Sequence, residues 1–340
     1  MPLRRPLSTS AIQSNWRRRP PWQDWWICFE HHWPITSRPR KNSSSSGSSE
    51  TRGAPDAMAS MIRISEVEDE RLDDYRDLRD ADLRGARKLF TVESERVLSR
   101  YLASDWSVES VLVESDVAKR LSESLESLEN RVPVYVTEPG LLRSISGYGF
   151  HGGALALGRR DSRGQGLNSL EPLFKQKRST LLAAEGVVHV DNLGALFRNG
   201  ACLGTDGILL SPNCSDPLLR KAIRISTGRV FEVPWARCDD WPGVLEQLRE
   251  VHGFRILGLE TTPNAQDIER MDCGHRNLIL VGAEGHGLSQ EALGQCDQVL
   301  EIPGAHDRTV ESMNVAVASA IGLHELGRRR RRSENLDLGG

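Results

Sequence analysis

Residues 277–289 read Asn-Leu-Ile-Leu-Val-Gly-Ala-Glu-Gly-His-Gly-Leu-Ser, an apolar run that ends in a glycine-rich loop. Continuous apolar runs of this length are typical of strands in a parallel sheet, because helices cover both of its faces. The same pattern recurs at residues 186–190, 207–210, 255–259 and 299–302. Segments with helical apolar spacing separate these runs. The sequence therefore predicts an α/β domain with a parallel sheet over residues 171–327.

The loop after residue 281 has an unusual order of glycines. Gly282, Gly285 and Gly287 give the pattern G-x-x-G-x-G rather than the dinucleotide fingerprint G-x-G-x-x-G. No lysine of the phosphate-binding P-loop follows. Glu284 would also repel a phosphate, so the loop favours a cationic or hydrogen-bond-donating ligand. This order of residues excludes a nucleotide-binding oxidoreductase.

Two other segments follow predicted strands, at the sheet edge where ligands of parallel sheets bind. Residues 191–200 lead into a helix and contain Asn192 and Arg198. Taken alone, Asn192 suits a helix N-cap and Arg198 an ordinary surface charge. Ser312 and Asn314 precede a helix that is rich in small residues. We expect these side chains to lie near the same edge of the sheet.

A smaller α/β domain is predicted over residues 60–158, where short apolar runs alternate with helical patterns such as 94–102 and 117–128. The polar residues 159–170 suggest a linker between the two domains. Residues 1–42 carry a net charge of +6, whereas the rest of the chain carries −9. A protein with this balance that binds nucleic acid needs a local basic patch.

Residues 1–57 differ in composition from the rest and pass through a Ser/Gly-rich stretch typical of flexible linkers. They are open to three interpretations: a basic aromatic nucleic-acid tail, a disordered extension, or upstream sequence translated from a misplaced start. The third is favoured because Met58 and Met61 lie where the composition becomes ordinary. Protein that begins at Met58 is therefore expected to retain full activity. An activity assay that found the shortened protein inactive would refute this interpretation.

Composition excludes several classes of protein. No apolar run approaches the roughly 18 residues of a membrane span, so an integral membrane protein is not expected. The six cysteines include no C-x-x-C pair, which argues against a zinc ribbon and a disulfide framework. No signal peptide is recognisable. We expect a cytoplasmic protein.

The three segments resemble the motifs of the SpoU-type (TrmH-type) RNA 2′-O-ribose methyltransferases, within the SPOUT class. The first motif, N-x-G-x-x-x-R, is matched by Asn192, Gly194 and Arg198. The second, G-x-E-x-x-G-L-S, is matched by Gly282, Glu284, Gly287, Leu288 and Ser289. The third, I-P followed by S-[LM]-N-V-[AS]-V-A, is matched by Ile302, Pro303, Ser312, Met313, Asn314, Val315, Val317 and Ala318.

The resemblance implies a fold that residue patterns do not predict. The family's α/β sheet has a deep trefoil knot at its carboxyl end, although knots are otherwise almost absent from proteins. Its members bind S-adenosylmethionine in the knot, are typically homodimers and complete the active site across the dimer interface. Many carry a small α/β RNA-binding domain before the catalytic domain, which residues 60–158 resemble more weakly.

Residue roles also follow from the resemblance. Arg198 matches the arginine proposed to activate the ribose hydroxyl; because arginine stays charged, we expect it to bind the adjoining phosphate and to relay the proton through it. Residues expected to hold the ribose, the arginine and the substrate backbone are Asn192, Glu284, Ser312 and Asn314. Residues expected to line the cofactor are Leu259, Val281, Gly282, Gly285, Ile302, Pro303 and Met313. No metal is expected.

The RNA is expected to contact the first domain and either the group Arg220, Lys221 and Arg224 or the run Arg328–Arg332. The alternative for that run is a solubilising disordered tail over residues 328–340.

The alternative function belongs to a different class: the chain would be a non-catalytic RNA-binding protein with the same fold. The complete set of motif side chains favours the enzyme. The resemblance implies ribosomal or transfer RNA as the substrate. The preference for ribosomal RNA is weak, because a two-domain layout is found among family members of both substrate types.

Overall fold

The protein is described by a computed structural model over residues 61–76, 83, 85, 87–128, 131–146, 152–304 and 313–337. Its strands are β1 (Met61–Ile64), β2 (Leu89–Glu93), β3 (Val108–Glu114), β4 (Val134–Thr137), β5 (Ala154–Arg159), β6 (Ser179–Ala184), β7 (Gly207–Leu210), β8 (Trp235–Arg237), β9 (Arg255–Leu259), β10 (Gln266–Asp267), β11 (Arg276–Val281) and β12 (Gln298–Glu301). Its α-helices are α1 (Glu95–Leu102), α2 (Ser115–Arg120), α3 (Ser122–Glu126), α4 (Leu141–Ser146), α5 (Glu171–Phe174), α6 (Val190–Leu203), α7 (Arg220–Ile225), α8 (Gly243–Glu250), α9 (Gln290–Gly294) and α10 (Val315–Asp337). Short 3-10 helices cover Glu70–Tyr75, Leu167–Leu170, Arg229–Phe231 and Ile268–Arg270. The predictions for residues 1–57 and for Ser312 lie outside the described residues.

The larger sheet has the strand order β10-β12-β9-β11-β6-β7-β8, and all neighbouring strands are parallel. Its central strands are apolar on both faces because each face is covered by helices. Along β11, Leu278 and Leu280 face one apolar cluster, while Ile279 and Val281 face the other. The predicted α/β fold with a parallel sheet is confirmed.

The register of the central strands brings their carboxyl ends together. Val281 of β11 pairs with Leu259 of β9 and with Ala184 of β6, and Leu259 pairs with Leu300 of β12. The residues that follow these four strands therefore emerge at one edge of the sheet. This edge receives the loops that contain the three motifs.

The smaller sheet has the order β1-β4-β3-β5-β2 and corresponds to the segment predicted over residues 60–158. Strand β5 runs antiparallel to β2 and β3, whereas the pairs β1/β4 and β3/β4 are parallel. It shares one compact unit, Pro55–Gly340, with the larger sheet. The predicted division into two domains, 60–158 and 171–327, stays a prediction.

Aromatic side chains join the two sheets. The ring of Phe231 stacks on Phe90 with centroids 5.7 Å apart and lies 4.8 Å from Tyr101. The rings of Trp106 and Trp235 are nearly parallel at 6.3 Å. Aromatic pairs of this kind add to the stabilisation that burial of their area provides.

The segment predicted as a linker, residues 159–170, is packed against both sheets. Arg160 donates to the carbonyl oxygens of Leu89 and Leu218, and its guanidinium lies 2.8 Å from the Asp216 carboxylate. Leu170 is fully buried. The polar composition of this segment therefore reflects an ion-paired connection rather than a loose linker.

The prediction of a strand at residues 186–190 is wrong. The strand in this region is β6, which ends two residues earlier, at Ala184. Gly186 has a φ of +66°, a left-handed conformation that no strand continues through. Val188 is 59% exposed, so this apolar run does not lie in the core. Helix α6 already begins at Val190.

Two helix predictions also need correction. The single helix predicted over 117–128 is two short helices, α2 and α3, because the backbone leaves helical geometry at Leu121. The disordered tail predicted from residue 328 is instead a continuation of α10 to Asp337. Ion pairs from Arg328 and Arg329 to Glu325 neutralise part of the basic run and support the helix.

Candidate functional site

Three side chains from the three motif segments meet at the carboxyl edge of the larger sheet. The Asn192 amide nitrogen donates to Glu284 Oε1 at 2.6 Å. The Asn314 amide nitrogen donates to the same oxygen at 2.7 Å and to Asn192 Oδ1 at 3.1 Å. One carboxylate thus organises two amides that are 122 residues apart in the chain. We call Asn192, Glu284 and Asn314 the amide–carboxylate cluster.

Asn192 does not serve as the helix cap that its position in the sequence suggested. Helix α6 begins at Val190, and the N-cap position is occupied by His189. Asn192 therefore lies in the first turn, where its side chain is free to reach Glu284. The structure replaces the capping interpretation with a role in the cluster.

Asn314 has two functions at the start of α10. Its Oδ1 accepts the backbone N–H groups of Ala316 at 2.9 Å and Val317 at 3.3 Å, as an N-cap does. Its amide nitrogen remains available for Glu284. The cap fixes the side-chain orientation that the cluster requires.

Glu284 lies at the tip of a tight loop. The backbone N–H of Gly287 donates to Ala283 O at 3.0 Å, which closes the loop on itself. A Cβ at Gly282 would lie 2.3 Å from the carbonyl carbon of Gly287, so only glycine permits this close approach. The tip projects from the sheet edge, and the Glu284 side chain is 35% exposed.

His189 was not predicted as part of the site. Its Nε2 lies 4.0 Å from Glu284 Oε2, the oxygen that the asparagines leave unoccupied. The imidazole is 69% exposed. His189 is the N-cap of α6, and Asn192 lies in the first turn of the same helix. An N-cap side chain lies beside those of the first turn, and this proximity is the signal that could have identified His189.

Arg198 stands apart from the cluster. Six residues correspond to about 1.7 helical turns, so Arg198 and Asn192 point in different directions from α6. Arg198 is exposed. Within the described chain it forms no hydrogen bond or ion pair with the cluster. Its neighbour Asn199 donates to Ala316 O at 2.6 Å, which fixes α6 against α10. The structure thus brings together three of the five predicted catalytic residues and leaves Arg198 separate, while Ser312 lies outside the described residues.

The residues predicted to line the cofactor lie at the same edge of the sheet, and they differ from one another in solvent exposure. Leu259 and Val281 are buried at the ends of β9 and β11. Ile302 and Gly282 are partly exposed, and Gly285 and Pro303 are exposed. Met313 is 44% exposed although it is apolar. The edge therefore combines accessible backbone with an accessible apolar side chain.

Two cysteines of the described chain, Cys238 and Cys296, are buried enough for their thiols to be unreactive. Burial raises the pKa of the Cys238 thiol to about 11 and that of the Cys296 thiol to about 12, so both remain protonated near neutral pH. Among the described residues, no group of histidine, cysteine and acidic side chains has the arrangement of a metal site. No helix of this described part is long and apolar enough to cross a bilayer.

Known proteins match the chain over the same region. The sequence model of the SpoU rRNA Methylase family matches residues 179–324, which extend from β6 into α10. An uncharacterized tRNA/rRNA methyltransferase of Mycobacterium bovis is 35% identical over 273 residues, which cover 77% of this chain and 90% of that protein. An uncharacterized tRNA/rRNA methyltransferase of Mycobacterium tuberculosis strain H37Rv is 34% identical over 273 residues, which again cover 77% of this chain and 90% of that protein.

Solved structures share the fold. An AdoMet-bound rRNA methyltransferase of Sinorhizobium meliloti superposes with a TM-score of 0.66 at 19% identity, covering 79% of this chain and 98% of that one. An RNA 2′-O ribose methyltransferase superposes with a TM-score of 0.63 at 23% identity, covering 79% and 99%. These structures show the shared fold, while the family model and the mycobacterial relatives show that the chain belongs to the SpoU rRNA Methylase family.

Proposed function

We propose that this chain transfers the methyl group of S-adenosylmethionine to a ribose 2′-hydroxyl of ribosomal or transfer RNA. The observation that carries the proposal is the amide–carboxylate cluster, which joins all three motif segments at the sheet edge. The AdoMet-bound and 2′-O ribose methyltransferase neighbours support the cofactor and the reaction. Ribosomal RNA is the favoured substrate class, and the cytoplasm the favoured compartment.

The carboxyl edge of the sheet fits the cofactor. Among the described residues, a Cβ at Gly285 or Gly304 would meet nothing within 4 Å, so the described part of both loops leaves open space beside their backbone. Exposed backbone suits the hydrogen-bonding edge of an adenine, and Met313 offers it an apolar surface. The residues that would hold the cofactor are Leu259, Val281, Gly282, Gly285, Ile302, Pro303 and Met313.

When bound, S-adenosylmethionine supplies a methyl group on a cationic sulfonium that leaves as a neutral thioether. The protein therefore needs no acid for the leaving group. It must align the hydroxyl and accept its proton. Alignment of two reactants can lower a barrier by about 7–11 kcal/mol in well-oriented systems. The amides of Asn192 and Asn314, held by Glu284, and the Ser312 hydroxyl would orient the ribose and the RNA backbone.

Arg198 would bind the phosphate that adjoins the target ribose. Its guanidinium stays charged and forms paired hydrogen bonds to phosphate oxygens. A phosphate oxygen fixed in this way would take the proton from the hydroxyl as the methyl group is transferred. Because Arg198 is exposed and separate from the cluster of its own chain, we propose that a second copy supplies it in a homodimer.

The proposed fold includes the trefoil knot at the carboxyl end. A knot requires segments to pass each other closely, and α10 does pass closely over β9. A Cβ at Gly322 would lie 2.6 Å from Leu259 Cδ1. The small side chains of the third motif are consistent with such a crossing.

The smaller sheet and the basic groups Arg220, Lys221 and Arg224 or Arg328–Arg332 are proposed to bind the RNA. Two of the candidates already have partners in the described structure: Arg220 forms an ion pair with Glu93, and Lys221 with Asp191. In the other group, Arg330 donates to the backbone oxygens of Ser179 and His275. Arg331 and Arg332 are exposed, which makes them the favoured phosphate contacts of the run.

Replacing Glu284 by alanine is expected to lower kcat by about 10²-fold, as loss of one transition-state-orienting group commonly does. The two asparagines would lose their common acceptor and their fixed orientation. Surface exposure of Glu284 predicts little change in thermal stability. Steady-state methylation assays and melting curves measure both quantities, and a variant with wild-type kcat would exclude the cluster from the reaction.

The direct test incubates the protein with labelled S-adenosylmethionine and total RNA from a strain that lacks the gene. The RNA is then separated by size and digested to nucleosides. Label in a 2′-O-methylnucleoside from one size class supports the proposed reaction and identifies the substrate class. The second candidate, a non-catalytic RNA-binding protein, predicts RNA binding with neither label nor cofactor binding.

A further inference from the structure

The loop that contains Glu284 is flanked by two acidic residues that belong to none of the three motifs. Strands β9, β11 and β6 are neighbours in this order, and the loop of residues 282–289 follows the central strand. Glu260 comes directly after β9, and Glu185 comes directly after β6. Both carboxylates therefore emerge beside the loop, one on each side.

Glu260 holds the loop from the β9 side. Its Oε2 accepts the backbone N–H of Leu288 at 2.8 Å, and its Oε1 accepts that of Thr261 at 2.9 Å. The carboxylate approaches so closely that a Cβ at Gly287 would lie 2.2 Å from Oε2. The second glycine of the motif thus has a specific partner outside the motif.

Glu185 holds the next residue from the β6 side. Its Oε2 accepts the backbone N–H of Ser289 at 2.9 Å, and its Oε1 accepts the Ser289 hydroxyl at 2.7 Å. Oε1 also accepts the indole N–H of Trp241 at 3.0 Å. Ser289 in turn caps α9, because its Oγ accepts the N–H of Ala292. Two consecutive backbone amides are therefore bound by carboxylates from opposite sides.

We propose that Glu185 and Glu260 are positioning residues that preform loop 282–289 as a binding surface for S-adenosylmethionine, an inference that rests on the proposed function. An ionised carboxylate only accepts hydrogen bonds, so each one matches the donors that it holds. Fixing both amides prevents the loop from rotating about the end of β11. Without them, only a fraction of the molecules would present the loop in its binding conformation, and the apparent affinity would fall by that fraction.

The variants Glu185→Gln and Glu260→Gln test this role with nearly unchanged shape. A glutamine offers one carbonyl oxygen, and its NH₂ group opposes the second donor. For each variant we expect the Kd for S-adenosylmethionine, measured by calorimetry, to rise about tenfold. We expect kcat at saturating cofactor to change much less, because the bound loop regains its geometry. Hydrogen exchange at the amides of Leu288 and Ser289 should become faster in the corresponding variant.

Trp241→Phe is the matched control. It removes one hydrogen bond from Glu185 but leaves both contacts between that carboxylate and the loop, so cofactor affinity should stay at the wild-type value. Equal weakening by Trp241→Phe, or unchanged affinity in both glutamine variants, would overturn the inference. A wild-type protein that binds no S-adenosylmethionine would instead refute the proposed function. In that case the exchange measurement still decides whether the carboxylates hold the loop, and unchanged exchange would overturn that part as well.

Discussion

Arg198→Ala is expected to abolish methyl transfer while cofactor affinity remains at the wild-type value. The proposed role of Arg198 is to fix the phosphate that receives the hydroxyl proton, and positioned proton transfer contributes about 10²–10⁴-fold to a rate. The side chain lies on the exposed face of α6, apart from the cluster, so its removal leaves no buried group unpaired. Single-turnover methylation and calorimetric titration with S-adenosylmethionine measure the two effects separately.

Mixing two impaired variants tests where Arg198 acts. If the guanidinium serves the site of the other subunit, a mixed dimer of Arg198→Ala and Glu284→Ala protein contains one site with both side chains intact. We therefore expect activity after subunit exchange to rise well above that of either variant alone. Exchange without recovered activity would place Arg198 in the site of its own subunit. The variant Arg198→Lys is the control for charge, and we expect it to restore little activity because lysine lacks the paired donors of the guanidinium.

Near-normal turnover of Arg198→Ala would contradict its proposed role. The second candidate for a proton acceptor would then be His189, which lies 4.0 Å from Glu284 Oε2. A neutral imidazole accepts a proton as a general base. A pH–rate profile of the variant would reveal this change of mechanism.

The sequence predicted the parallel sheet well because the signal for its buried strands is local. The runs at 207–210, 255–259 and 299–302 are mostly apolar and lie within one residue of β7, β9 and β12. The run at 186–190 is also rich in apolar residues, but it lies after the turn at Gly186 rather than in the strand that precedes that turn. The apolar side chains of Ser179–Ala184 were overlooked because that strand begins with two polar residues.

The sequence predicted which residues form the amide–carboxylate cluster but not how their side chains contact one another. Motif spacing identified Asn192, Glu284 and Asn314, yet no local rule indicates that one carboxylate oxygen accepts both amides. Such contacts depend on strand order and register, which here link residues 30, 92 and 122 positions apart. The roles of Glu185 and Glu260 depend on the same long-range information, because their partners follow a neighbouring strand.

Gly282→Ala is expected to abolish binding of S-adenosylmethionine. The new Cβ would lie 2.3 Å from the carbonyl carbon of Gly287, 2.5 Å from its oxygen and 2.5 Å from the Leu288 nitrogen. All three are backbone atoms, so the clash cannot be relieved by a side-chain rotation. The loop must open, and its tip would no longer carry Glu284 to the asparagines. Overpacking of this kind also lowers the free energy of unfolding by about 1–3 kcal/mol.

Gly294→Ala provides the matched control for this prediction. It is the same substitution, at the end of α9, where a new Cβ meets nothing within 4 Å. Because alanine fits this backbone and restricts the unfolded chain more than glycine does, we expect unfolding to require about 0.4–1 kcal/mol more free energy. Cofactor affinity should equal that of the wild type. Calorimetry and chemical denaturation of both variants measure these effects, and tight binding by Gly282→Ala would show that the cofactor does not depend on the closed loop. The close approach of Gly282 to Gly287 would then serve the fold of the sheet edge alone.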